Sequence, residues 1–236
     1  MVDDPISGMR QKVALATGGF AILIVVLVAL AFGGRPVWDA LVSLSTGSSS
    51  GATAAASLSG IALAIGYILV TFDIQGVVDR RLFHAVTAVN EGIVDRLRSE
   101  VKRFLPDAQP TARDLMGLFY EFANRDDGSW PMLRGIAFDR WTPYHSAMNC
   151  FVVACSGLVL SVTSIWYRGV FDIYNGVPLL FTLSAALLSV YLSQRVLRPK
   201  LLTGVAEPEI VKMTRDLSTE FEKLATARFG VRKSNP

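Results

Sequence analysis

The sequence predicts an all-α integral membrane protein. It reads as four transmembrane helices in two pairs, with a helical cytoplasmic insert between helices 2 and 3 and a C-terminal amphipathic cytoplasmic helix. Three observations lead there. Hydrophobic residues make up 51% of the 236 positions and the mean hydropathy is +0.41, which moves the chain out of the soluble class. Charge is segregated: Val13 to Gly34 is a run of 22 uncharged residues, and residues 141–167 contain no Asp, Glu, Lys or Arg. A bilayer demands this, because a charged side chain at its centre costs roughly 2.5–3.5 kcal/mol. Finally, 21 of the 23 Lys and Arg residues fall in the N-tail, a central block and the C-tail, which the positive-inside rule places in the cytoplasm.

Residues 1–12 are the cytoplasmic N-tail. The first span covers 13–34, enough helix for about 33 Å against about 30 Å of hydrocarbon. Its apolar run exceeds the roughly 7–15 residues of a signal-peptide core, so an uncleaved span is expected. Residues 35–51, from Arg35-Pro36-Val37-Trp38 to a Ser/Gly run, read as an outer loop. The second span, 52–72, carries Ala52, Ala55, Ser59, Ala62 and Gly66 at helical spacing, a face that lets another helix approach closely.

The insert, 73–146, holds ten of the basic residues. Val78, Leu82, Val86, Val89, Ile93, Leu97, Val101 and Phe104 form one stripe, predicting an amphipathic helix of about eight turns that continues the second span and stops at Pro106. Thr111 with Asp114 three residues later is a capping-box variant opening a second helix with Leu115, Leu118, Phe119 and Phe122. Asn124 to Gly128 reads as a turn. Trp130-Pro131 opens a short interfacial helix in which Arg134 and Arg140 alternate with Phe138, Trp141 and Tyr144.

The third span is 147–166, a tight outer loop is 167–176, and the fourth span is 177–194 with Pro178 in its first turn. The cytoplasmic C-tail, 195–236, opens on Arg195, Arg198 and Lys200. After Glu207-Pro208 an amphipathic helix carries Ile210, Met213, Leu217, Phe221 and Leu224 on one face, enough for a short coiled-coil contact or docking onto the insert.

Catalysis would need a nucleophile with its base, a metal cluster or a phosphate cradle, and none reaches motif strength. His84, Glu91 and Asp95 fall on nearby turns but lack a second His or a Cys at ligand spacing, so a solvated face is the preferred reading. Asp126-Asp127-Gly128 lacks calcium-loop spacing. Cys150 and Cys155, five apart on one helix, diverge by about 140° and read as structural thiols. The sequence thus points away from an enzyme, and no cofactor, metal or nucleic acid is expected.

Asn149, Ser156 and Thr163, seven apart on the third span, are candidates for span packing or pore lining, together with Ser59 and Gly66. Leu82, Val86, Ile93, Leu97, Val101 and Phe221 are candidates for cytoplasmic interaction. Arg80, Arg81, Arg195, Arg198 and Lys200 are candidates for contact with anionic membrane lipid. The layout resembles that of flagellar stator subunits and of four-span channels with cytoplasmic ends, in arrangement alone.

The expectation is a non-enzymatic, multi-pass component of the plasma (inner) membrane with both termini cytoplasmic. It would self-associate as a homo-oligomer and present its cytoplasmic helices to a soluble partner, as a scaffold or sensor subunit. The rival is a homo-oligomeric gated pore, of the kind a membrane-disrupting bacterial defence effector would form.

Overall fold

The computed structural model describes residues 5–45, 60–61, 63–124, 130–204 and 207–230, and among these there is no β-strand. Three described helices are long and apolar enough to cross a membrane: Gly8–Gly33, Trp130–Arg168 and Ile173–Leu201. These mark a membrane protein. Most of the expected start of the second span, residues 52–59, lies outside the described residues. The chain divides into two units, Met1–Arg81 with Thr142–Leu197, and Leu82–Trp141 with Arg198–Pro236.

In the first unit, α1 (Pro5–Gly33) stops at Gly34, whose φ of +60° is a left-handed conformation that glycine adopts without strain. Residues 35–45, read from sequence as loop, instead form α2 (Arg35–Ser45). Pro36 falls in the first turn, where its missing N–H costs nothing, and Val37 and Leu41, one turn apart, are half-buried.

Helix α3 (residues 63–71) packs against α1 backbone to backbone. A Cβ on Gly66 would collide with the Ala14 carbonyl oxygen and lie 3.0 Å from the Gly18 nitrogen. Val13, Ala14 and Val70 form a buried cluster there, and further along α1 a second cluster joins Ala21 and Ile24 to Val153.

The second span does not continue as one helix. Asp73 and His84 both take left-handed conformations, with φ of 50° and 53°, a strained choice for side chains other than glycine. Between them lie the short helix α4 (Ile74–Val78) and a π-helical turn, Asp79–Phe83. The eight-turn stripe is therefore cut, and regular helix resumes only with α5 (Ala85–Phe104). An unbroken apolar period does not reveal two backbone reversals in the φ sign, which is why the sequence reading missed them.

Helix α7 (Trp130–Arg168) likewise merges two expected elements, the interfacial helix and the third span, into 39 residues that pass through Pro143. Gly157 on α7 permits close packing, since a Cβ there would lie 2.6 Å from the Ile24 side chain and 3.0 Å from that of Thr182. Helix α8 (Ile173–Tyr191) begins four residues before the expected span. The Asp172 carboxylate accepts from the N–H groups of Tyr174 and Asn175, and the Asn175 side chain accepts from the Asp172 N–H. A π-helical segment, Leu192–Leu197, follows it.

The second unit is a helical cluster. Helix α6 (Ala112–Ala123) carries the predicted capping box, with the Thr111 hydroxyl accepting from the Asp114 N–H at 3.2 Å. The C-tail supplies α9 (Arg198–Gly204), α10 (Glu207–Val211), a π-helical turn (Lys212–Asp216) and α11 (Ser218–Phe229). Phe221 of α11 is 2% exposed and packs edge-on against Phe104 and tilted against Phe122, with ring centroids 5.9 and 6.4 Å away. Phe122 also meets Trp130, over which the Lys212 ammonium sits at 4.4 Å. The C-tail is thus docked on the insert through an aromatic core.

Candidate functional site

The candidate stripe on α7 is divided by burial. Asn149 is fully buried, whereas Ser156 and Thr163 are exposed and donate back to the Val152 and Val159 carbonyls at 3.0 and 2.9 Å. Seven residues fall about 20° short of two full turns of a straight helix, so a heptad stripe walks off a buried face. The face that is buried follows Asn149, Val153, Gly157, Ser161 and Ser164 instead. Gly66 serves packing, and Ser59 lies outside the described residues.

Most buried hydroxyls of this unit satisfy themselves within their own helix. Thr17 donates to the Val13 carbonyl, Thr182 to that of Pro178 and Ser164 to that of Ser161. The Asn149 amide and the Ser161 hydroxyl have no hydrogen-bond partner among the described residues. In the same unit Ile24, Val28, Ile65, Leu69, Val153 and Ser156 are among the residues lining a partly enclosed apolar cavity of about 220 Å³.

Two polar constellations in this unit were not foreseen. The first joins Asp79, 1% exposed, to Tyr144, fully buried, whose hydroxyl donates to the carboxylate at 2.5 Å. The His145 imidazole lies within electrostatic reach of both Asp79 and Asp73. Asp73 in turn accepts from the Gln75 amide at 3.2 Å and pairs with the exposed Arg80 at 3.4 Å. The second constellation is centred on Arg168. Its guanidinium forks onto the Asp172 carboxylate at 3.1 and 2.5 Å and also donates to the Ala31 carbonyl at 3.3 Å. One arginine therefore caps the end of α1 while holding the residue that starts α8. The hydrogen bond from Arg168 keeps the Asp172 carboxyl below the usual carboxylate range, and the Asn175 and Tyr174 N–H groups act in the same direction.

In the second unit, Ile93, Leu97, Val101 and Phe221 are all 5% exposed or less and form its interior. Among the interaction candidates, Leu82 is 61% exposed and Val86 is half-buried. Of the lipid-contact candidates Arg80, Arg81, Arg195 and Lys200 are exposed, and Arg198 is half-buried. Cys150 and Cys155 are free thiols. Among the described residues, no three His, Cys, Asp or Glu side chains gather as a metal-binding group.

The same unit contains a partly enclosed cavity of about 290 Å³ between α5, α6, the start of α7 and α10. Its wall includes Phe119, Phe138 and Trp141, with Arg134 and Glu209 as its charged members. Glu209 is 5% exposed, and burial pushes its carboxyl up to about 7 against the partial opposition of Arg134. Sequence reading missed this site because Glu209 follows a helix-starting Glu-Pro and reads as a solvated first-turn acid.

No protein-family model matches the chain, and no curated protein or solved structure matches it.

Proposed function

We propose that the protein is a non-enzymatic, four-span membrane component that self-associates through its spans and presents its cytoplasmic helical unit to a partner. The observation that carries this reading is the outward face of the apolar helices. Val159, Leu180 and Leu187 are 63–64% exposed, and Trp166 is 88% exposed, on helices whose length matches a bilayer. Lipid or a second copy of the chain satisfies such a face. The placement of 21 of 23 basic residues on one side of the four-span layout puts both termini, the insert and the C-tail in the cytoplasm of a plasma or inner membrane. The exposed Arg80, Arg81, Arg195 and Lys200 then contact anionic lipid there.

Native mass spectrometry from mild detergent tests the reading. A symmetric homo-oligomer is the expected result, and a lone monomer with no associated protein overturns it.

A homo-oligomeric gated pore is the second reading, supported by the exposed Ser156 and Thr163 hydroxyls on an otherwise apolar edge of α7. Only an assembly of several copies would line a path with them. Ion flux across liposomes that disappears when Ser156 and Thr163 are replaced by Leu supports the pore. Absence of conductance under all conditions, partner included, rejects it.

A further inference from the structure

The Glu209 carboxylate is a poor choice for a purely structural interior position. It is 95% withdrawn from solvent, yet it makes no hydrogen bond or ion pair with any described residue. An ionised carboxylate removed from water without a partner costs several kcal/mol, so such positions are ordinarily apolar or paired. Arg134 lies on the same cavity wall, near enough to be felt electrostatically. The remaining wall is aromatic and aliphatic, with Phe119, Phe138 and Trp141 beside Val89 and Ile93.

We infer that this cavity is a binding site for a small organic ammonium compound with an aromatic or branched apolar body. The ammonium would meet Glu209, and the body would be held by Phe119, Phe138 and Trp141. An ammonium supplies the missing hydrogen-bond donors and the opposite charge together. Aromatic faces attract the same cation through their quadrupoles and also exclude water from the apolar part. A volume of about 290 Å³ suits a ligand of one ring or one branched chain. Arg134 distinguishes two sources of the ammonium. A simple amine leaves it unengaged by the ligand, and a zwitterion such as an amino acid turns its carboxylate toward it. The site does not depend on whether the spans self-associate or conduct.

Calorimetry on the full chain in lipid nanodiscs at pH 8 tests the inference with three probes: phenethylamine, phenylalanine and 2-phenylethanol. One-to-one saturable binding of phenethylamine or phenylalanine is expected, at least tenfold tighter than binding of the alcohol, in which the ammonium is absent. Tighter binding of phenylalanine assigns the zwitterion, and tighter binding of phenethylamine assigns the simple amine. Glu209→Gln is expected to weaken the preferred probe at least tenfold, and Ala137→Trp, which fills the cavity and keeps the carboxylate, to abolish its binding. Equal binding of the alcohol, undiminished binding in folded Glu209→Gln, or no saturable binding of either ammonium probe overturns the site. The comparison of probes on the unmodified chain stands even if a variant fails to fold.

Discussion

The Tyr144 hydroxyl donates a 2.5 Å hydrogen bond to the Asp79 carboxylate across 65 positions of sequence, and neither side chain is more than 1% exposed. A carboxylate so far from water depends on each donor it has. Tyr144→Phe is expected to cost about 1.5–3 kcal/mol, the range for a hydrogen bond to a charged group. Adding Asp79→Asn should recover part of that loss, because the buried charge deprived of this donor is gone. Thermal unfolding in detergent, followed by intrinsic fluorescence, measures both. Equal melting temperatures for wild type and Tyr144→Phe would show the bond to be dispensable.

Gly66 holds α3 against the backbone of α1 at Ala14 and Gly18. Because the obstruction is backbone and cannot swing aside, Gly66→Ala should destabilise the protein by about 1–3 kcal/mol, and Gly66→Leu by more. The same unfolding assay ranks the two.

Arg168 and Asp172 give a prediction with a definite pH direction. The Asp172 carboxyl is lowered chiefly by its hydrogen bond from Arg168, so the native state resists its protonation. Its stabilising effect is present above the ordinary carboxylate value of 3.8 and is lost as pH falls through the lowered one. Arg168→Ala should therefore move the acid-unfolding midpoint to higher pH. Arg168→Lys should not restore it fully, since an ammonium cannot reproduce the two-pronged grip while also reaching Ala31.

Glu209 runs the other way. Burial raises its carboxyl from 4.5 to about 7, so the folded chain binds the proton more tightly than the unfolded one. Stability is then full below about 4.5 and declines as pH rises to about 7, by on the order of 3 kcal/mol. Glu209→Gln should flatten that decline and leave the protein more stable than wild type at pH 8. Urea titrations at pH 5 and pH 8 provide the comparison.

Phe221 anchors the C-tail between Phe104 and Phe122. Phe221→Ala removes a ring that is 2% exposed and should cost about 3–5 kcal/mol. Limited proteolysis should show cleavage within residues 207–230 appearing in the variant at protease levels that leave the wild type intact.

Local signals of hydropathy, period and capping were legible wherever a single helix decides the outcome. The Thr111 and Asp114 box, the apolar runs of α1 and α8, and the stripe Val89, Ile93, Leu97 and Val101 all read correctly as helix, because each depends on neighbours within a few residues. The cap of α8 was equally present in Asp172 and Asn175 but went unread, since the loop before it carried the stronger polar signal. The reversals at Asp73 and His84 left no such mark. Asp and His are among the side chains that tolerate a positive φ, but both adopt negative φ far more often, and the apolar period runs on across both.

By itself the sequence determined that the chain is helical and that it concentrates its charge away from segments long enough for a bilayer, because both properties are set by short-range composition. Tertiary structure decided what those helices do with their side chains. It placed Asn149 inside while leaving Ser156 and Thr163 outside, joined Arg168 to Ala31 over 137 positions, and enclosed Glu209 among aromatic rings. Helical period specifies which residues share a face, and only the packing of remote helices determines whether that face meets lipid, protein or a cavity.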